Sequence, residues 1–132
     1  MILTTFTQHG FARWAIEDTD GRFVGYVGVM PSLADHALRP HTEIGWRLVR
    51  AAWGKGYATE AAQAALRDFF ARTGFAEVPS YTSSENARSQ AVMERLGLRR
   101  EPSLAFSGKY GDKIWHGLVW VAAASNVSLT AQ

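Results

Sequence analysis

Across a glycine pair near its middle, the hydrophobic period of this chain changes from two residues to about 3.6. Before the pair, Ile44, Trp46 and Leu48 share one face of an extended segment, and Glu43, Gly45 and Arg47 share the other. After Trp53-Gly54-Lys55-Gly56, apolar residues fall at Ala58, Ala61, Ala62, Ala65, Leu66, Phe69 and Phe70, which is an amphipathic helix. The segment must therefore fold as strand, tight turn and helix. Glycines let backbone approach a ligand closely and adopt positive φ. A helix start adds unpaired N–H groups and the positive end of its dipole, which suit phosphate. Thr59 adds a hydroxyl in the first turn. From Gly-x-Gly alone, an ordinary strand-to-helix turn reads equally well. Two standard phosphate motifs are excluded. Lys55 lies between the glycines rather than after a Gly-x-x-x-x-Gly run, and Thr59 stands where a dinucleotide fingerprint needs its third glycine.

The flanking sequence supplies the rest of the sheet. Residues 11–17 and 22–30 surround the turn signal Asp18-Thr19-Asp20-Gly21 and read as an antiparallel hairpin. Residues 31–40 are polar and bounded by proline, hence a loop, and 41–49 form a third strand. Thr73-Gly74 closes the first helix, with Gly74 in the left-handed C-terminal position. Residues 75–82 are a strand that contains Pro79, which has no ladder donor, so this strand lies at an edge or is splayed from a neighbour. Ser83-Ser84-Glu85-Asn86 caps a short helix that closes at Gly97-Leu98. Residues 104–110 and 113–121 form a last hairpin, and 122–132 read as a frayed tail. The order is β-β-β-α-β-α-β-β: one α/β (α+β) domain, residues 1–132, with a mixed sheet and two helices.

Composition narrows the function. With 132 residues, 47% of them hydrophobic, the chain has the size and apolar content of one packed domain. It has no Cys, which excludes a disulfide scaffold, a thiolate nucleophile and Cys-ligated metal, and the four His have no metal-ligand spacing. A net charge of +2 implies no specific nucleic-acid partner. No apolar run approaches the roughly 20 residues of a membrane span, and the N-terminus lacks signal-peptide features, so the expectation is a cytoplasmic protein.

Glu43-Ile44-Gly45-Trp46-Arg47-Leu48 followed by Trp53-Gly54-Lys55-Gly56-Tyr57-Ala58-Thr59-Glu60-Ala61-Ala62 resembles motif A of the GNAT N-acetyltransferases, in their RimJ/RimL-like branch. Asn86-Ala87-Arg88-Ser89 and then Val92-Met93-Glu94-Arg95-Leu96-Gly97-Leu98 resemble the same branch's Asn-x-x-Ser helix and its close. The resemblance runs from about Phe11 to Trp120. It implies a sheet splayed at the cofactor site, which accommodates Pro79, and acetyl-CoA as acetyl donor without a metal. It implies that Gly54, Lys55, Gly56, Tyr57, Ala58 and Thr59 wrap the pyrophosphate, and that Trp46, Arg47, Leu48 and Val49 pair with pantetheine. Asn86 then matches a pantetheine ligand, which is compatible with a plain N-cap. Glu43 is the candidate general base, the plainer alternative being a solvated strand-end charge paired with an arginine. Ser89 is the candidate assistant to the leaving group, or an ordinary first-turn serine. The acceptor is a small-molecule or peptide amine.

Three departures stand out. Ala51 occupies the first position of the family's Gln/Arg-x-x-Gly-x-Gly/Ala, with Arg50 beside it. Met93 falls where many relatives carry a proton-donating Tyr. The usual opening strand and two helices are expected to be missing before Phe11, which puts the acceptor pocket in doubt. That expectation favours a homodimer that covers the exposed sheet, and it keeps a second reading open: an acyl-CoA-binding module without efficient transfer. Arg95, Arg99 and Arg100 form a basic patch that is either solvated or aimed at the 3′-phosphate. The five tryptophans read as core or pocket wall, with Trp53 fixing the turn.

Overall fold

The computed structural model describes residues 2–8, 11–31 and 41–127. The first sheet is antiparallel, in the order β1 (Ile2–Gln8), β2 (Phe11–Glu17), β3 (Phe23–Pro31) and β4 (Thr42–Leu48). Helix α1 (Tyr57–Arg72) follows, then β5 (Glu77–Ser83), helix α2 (Ala87–Arg95) and the two-residue β6 (Arg99–Arg100). The long β8 (Lys113–Ala123) pairs with β5, with β6 and with β7 (Phe106–Tyr110) to make a second sheet. The mixed α/β class and the two-helix order hold.

Several boundaries differ from the sequence reading. A strand does precede Phe11: β1 pairs with β2 over its full length, from Ile2 opposite Glu17 to Gln8 opposite Phe11. Its Thr-rich sequence shows too weak an apolar alternation to read as a strand on its own. Helix α1 ends on Thr73 in extended backbone (φ −123°), so the chain leaves the helix without a left-handed Gly74. The expected frayed tail is partly core, because β8 continues to Ala123 with Ala122 buried, and Val127 packs on the core. Residues 128–132 and the loop at 32–40 lie outside the described residues, as do His9 and His36.

The core forms where the alternating face of the first sheet meets the helical stripe. Ile16, Val27, Val29 and Ile44 point one way and meet Ala61, Ala62, Ala65, Leu66, Phe69 and Phe70 of α1. Each fully buried large apolar side chain there contributes about 1.5–3 kcal/mol. The alanines let α1 lie close to the strands. Gly25 is required for a similar reason: a Cβ there would stand 2.1 Å from the Arg47 carbonyl oxygen. The second close that the sequence predicted is present. The Leu98 amide donates to the Met93 carbonyl at 3.1 Å and the Gly97 amide to Glu94 at 3.0 Å, a Schellman closure of α2.

Candidate active site

Ser80, on β5, donates its buried hydroxyl to the Ile44 carbonyl of β4 at 2.8 Å. This bond joins the two sheets, which share no backbone ladder among the described residues. Beyond it they diverge around a cleft of about 1500 Å³. One wall carries Trp46, Leu48, Trp53 and the start of α1; the other carries Tyr81, Ser83 and the start of α2.

Antiparallel pairing alternates the direction of backbone groups, so one hydrogen bond fixes the parity of a strand. The Val49 amide donates to Val24 of β3 at 2.8 Å, so odd-numbered residues of β4 serve β3. Even-numbered residues turn their amides and carbonyls toward the cleft. Ile44 uses its carbonyl for Ser80, and Leu48 accepts from the Trp53 indole at 3.2 Å. Trp46 lies between them with its backbone facing the gap. On β5, the Ser84 amide bonds to His116 of β8 at 2.9 Å, so the odd positions of β5 face the gap. Pro79 is one of these, and its missing N–H removes nothing from the β5–β8 ladder.

The glycine turn ends the cleft. Gly54 (φ +77°) and Gly56 (φ +79°) adopt the left-handed backbone, and Gly56 is the N-cap of α1 with no side chain to satisfy the first-turn amides. The Thr59 hydroxyl is buried beside those amides without a hydrogen-bond partner. Phosphate oxygens, which accept several N–H and O–H bonds at a positive dipole end, satisfy both deficits. An extended amide chain suits the exposed backbone of Trp46. The residues present therefore fit acetyl-CoA.

Of the residues singled out from sequence, Trp46, Arg47, Leu48, Gly54, Gly56, Tyr57, Ala58, Thr59, Asn86 and Ser89 line this cleft. Val49 and Lys55 are not among the lining residues: the Val49 backbone turns to β3, and Lys55 is exposed on the turn. Asn86 caps α2, its side-chain oxygen accepting from the Ser89 amide at 3.1 Å, which leaves its NH₂ group as a donor. Glu43 lies outside the main cleft, in an adjoining hollow that shares Gly45, Trp46 and Arg47 with it. Its partner is His41, at 3.0 Å from the ring Nε2, rather than an arginine. Met93 is buried on the cleft wall.

Other cleft residues carried no motif. Tyr81 lines the wall and stacks edge-on with His41, Phe106 and Trp115, at 6.0, 5.5 and 6.4 Å between ring centroids. Arg88 lies 4.2 Å above the Trp53 ring, so a guanidinium from α2 reaches across to the turn at the start of α1. Arg50 stands 5.8 Å from the same ring. The basic patch divides: Arg95 lines the cleft, Arg99 is bound by Glu77 at 2.9 Å and by Glu101, and Arg100 lies over Trp120. His116 is hydrogen-bonded to Ser107, as a sheet histidine should be. Among the described residues no group of three potential ligands could hold a metal ion, and no helix is long and apolar enough to cross a membrane.

Known proteins share this fold. Residues 2–99 match the family profile described as an acetyltransferase (GNAT) domain. Over 92 residues the chain is 42% identical to the uncharacterized N-acetyltransferase YnaD of Bacillus subtilis, covering 70% of this chain and 52% of that protein. It is 36% identical over 93 residues to FsC-acetyl coenzyme A-N(2)-transacetylase of Aspergillus fumigatus, covering 67% of this chain and 39% of that one. The matches thus span about half or less of those relatives. Among solved structures, an acetyltransferase (GNAT family) from Bacillus anthracis superposes with a TM-score of 0.70 at 27% identity, over 84% of this chain and 65% of that one. An acetyltransferase from Agrobacterium tumefaciens gives 0.67 at 30% identity, over 86% and 61%. The profile covers most of the chain, and the order of strands and helices agrees with that of these solved acetyltransferases: this chain belongs to the GNAT family of acetyltransferases.

Proposed function

We propose that this protein transfers an acetyl group from acetyl-CoA to a primary amine of a small molecule or peptide, by direct attack within a ternary complex. The observation that carries the reading is the cleft between β4 and β5, with unsatisfied donors at its phosphate end and free strand backbone along its length. Acetyl-CoA supplies an activated thioester carbonyl. The chain supplies the rest. Gly54, Gly56, Tyr57, Ala58 and Thr59 bind the pyrophosphate through amides and the Thr59 hydroxyl. The backbone of Trp46 and Leu48, with the Asn86 NH₂, orients pantetheine. The Ser80–Ile44 bond closes the gap and sets how deep the thioester can lie.

Beside that closed end, the Trp46 amide is the next backbone donor facing the cleft, and it stabilises negative charge that develops on the carbonyl oxygen. Glu43, held by His41, takes a proton from the bound ammonium, and the neutral amine so formed attacks the thioester carbonyl. Ser89 donates toward the departing sulfur, a role Met93 cannot fill. The protein acts as a cytoplasmic homodimer, pairing through β1, the edge strand of its sheet among the described residues. A second reading, a module that holds acyl-CoA without efficient transfer, draws on the buried thioether of Met93. Calorimetry with acetyl-CoA and a thiol-release assay over an amine panel separate the two. Binding with turnover supports the enzyme. Binding with no product from any amine supports the module, and no binding refutes both.

A further inference from the structure

The sheet face opposite α1 holds the smaller hollow, about 250 Å³, and we infer that it selects a small primary amine that carries its own anionic group. This inference rests on the acetyl-transfer reading and names the class of acceptor. Alternation turns Arg13 of β2, Tyr26, Gly28 and Met30 of β3, and Glu43, Gly45 and Arg47 of β4 to this face. Register sets them in rows: Arg13, Gly28 and Gly45 lie side by side, with Tyr26 beside Arg47 on one flank and Met30 beside Glu43 on the other. Two paired glycines make the floor. A Cβ built on Gly45 meets nothing within 4 Å, so among the described residues the space just above it is open. The volume falls below the roughly 300 Å³ at which drug-sized sites begin, so the occupant is small.

The charges around this floor are unequal. Arg13 and Arg47 face one carboxylate, Glu43. Among the described residues neither arginine has an ion pair, whereas Glu43 is engaged by His41. Arg13 is held 5.9 Å from the centroid of the Tyr26 ring, over the hollow. Glu43 and Arg47 lie four residues apart on β4, a span of about 13 Å, with Gly45 midway. Gly45, Trp46 and Arg47 line both the hollow and the main cleft, so the two adjoin there. An amine brought to Gly45 thus has a carboxylate on one side, to take its proton, and guanidiniums on the other, ready for a carboxylate or phosphate of the same molecule. A polyamine would have to set its second ammonium against those arginines.

The test compares matched acceptors at saturating acetyl-CoA, with rates expressed per concentration of neutral amine: methionine against methioninamide, phosphoethanolamine against ethanolamine, and spermidine. At least one anionic member is expected to exceed its neutral partner in kcat/KM by about tenfold or more, and the pair that does so identifies carboxylate or phosphate. Arg13→Gln, at an exposed position, should draw that ratio toward one. Equal rates within both pairs, a ratio unmoved by Arg13→Gln, or spermidine as the best acceptor would overturn the inference while leaving the acetyltransferase intact. If acetyl-CoA binds and no amine is acetylated, the functional reading fails. Calorimetry of N-acetylmethionine and N-acetylphosphoethanolamine against their neutral counterparts, on the CoA complex, then decides the hollow by itself. An anionic preference lost in Arg13→Gln sustains it, and no preference refutes it.

Discussion

Replacing Ser80 by Ala should loosen the two sheets at the point where its side chain bridges them. The Ser80 hydroxyl is buried and donates to the Ile44 carbonyl at 2.8 Å. The pairing rule that sends Ile44 toward the cleft also means that no β3 amide can replace the lost donor. The substitution therefore removes a hydrogen bond and strands a buried acceptor, at a cost of about 1–3 kcal/mol. Taking 2 kcal/mol as the centre, and an unfolding entropy of about 2.1 cal/mol/K per residue, the 132-residue chain should melt about 7 °C lower. Calorimetric melting, with urea unfolding to check that the m-value is unchanged, measures this directly. A shift under 2 °C would refute the assignment of the Ser80 hydroxyl as the bond that holds the sheets together. Saturating acetyl-CoA should raise the melting temperature of both proteins, and less in the variant if the bond also fixes the depth of the cleft.

Gly56→Asp should weaken acetyl-CoA binding by tenfold or more, while Gly56→Asn, which shares the cost of a left-handed backbone at φ +79° without the charge, should lose much less; equal losses in calorimetry would remove the pyrophosphate from the turn. Glu43→Gln should lower kcat by about 10²-fold or more with acetyl-CoA affinity within twofold, and should alter the pH–rate profile; an unaltered profile excludes Glu43 as the base. Arg88→Ala removes the guanidinium stacked 4.2 Å over Trp53 across the cleft mouth and should speed acetyl-CoA release by several-fold, which stopped-flow displacement would register. The β2–β3 hairpin should loosen in acid. The Arg22 amide bond, then that of Asp20, holds the exposed Asp18 carboxyl below its ordinary range, so its contribution is present above the unfolded-state pKa and is lost as pH falls through the lower folded value. Asp18→Asn should flatten the acid limb of a stability–pH curve.

Much of this architecture was legible because each period had one physical solution. The alternation of Ile44, Trp46 and Leu48 could only be a strand with one buried face, and the Ala58–Phe70 stripe only a helix on that face. The glycine turn and the Asn86 cap are local chemistry, readable from a few adjacent residues. What escaped depends on contacts that sequence order does not reveal. Strand β1 has weak apolar patterning and exists because β2 offers it a full ladder. Glu43, read as the candidate base with an arginine partner only as the plainer alternative, meets His41, two residues away and just ahead of β4, where alternation sets both side chains on one face. That same rule could have found the pair. Tyr81 lacked any motif and Arg88 stands at an unspecified position of Asn-x-x-Ser, since both become cleft residues only when β5 and α2 are placed opposite β4.

The splay itself follows from how the facing edges are filled. The even-numbered residues of β4 present backbone donors and acceptors to the gap, and the odd-numbered residues of β5 do so from the other side. A continuous ladder between these edges would occupy the groups that an extended amide ligand needs. Two local choices oppose it. Pro79 withdraws one donor from the β5 edge at the level of the join, and the Ser80 side chain satisfies the Ile44 carbonyl in place of a backbone amide. Backbone pairing is thereby replaced by one side-chain bond at the closed end, while the Trp46 backbone next to it stays available. Restoring an amide at position 79 should therefore not close the cleft as long as Ser80 holds Ile44. Pro79→Val alone should leave acetyl-CoA affinity nearly unchanged, whereas Pro79→Val with Ser80→Val, which offers the edge a donor and frees the carbonyl, should favour pairing and weaken affinity by more than the two single losses combined. Additive losses in calorimetry would refute this account of why the sheets part.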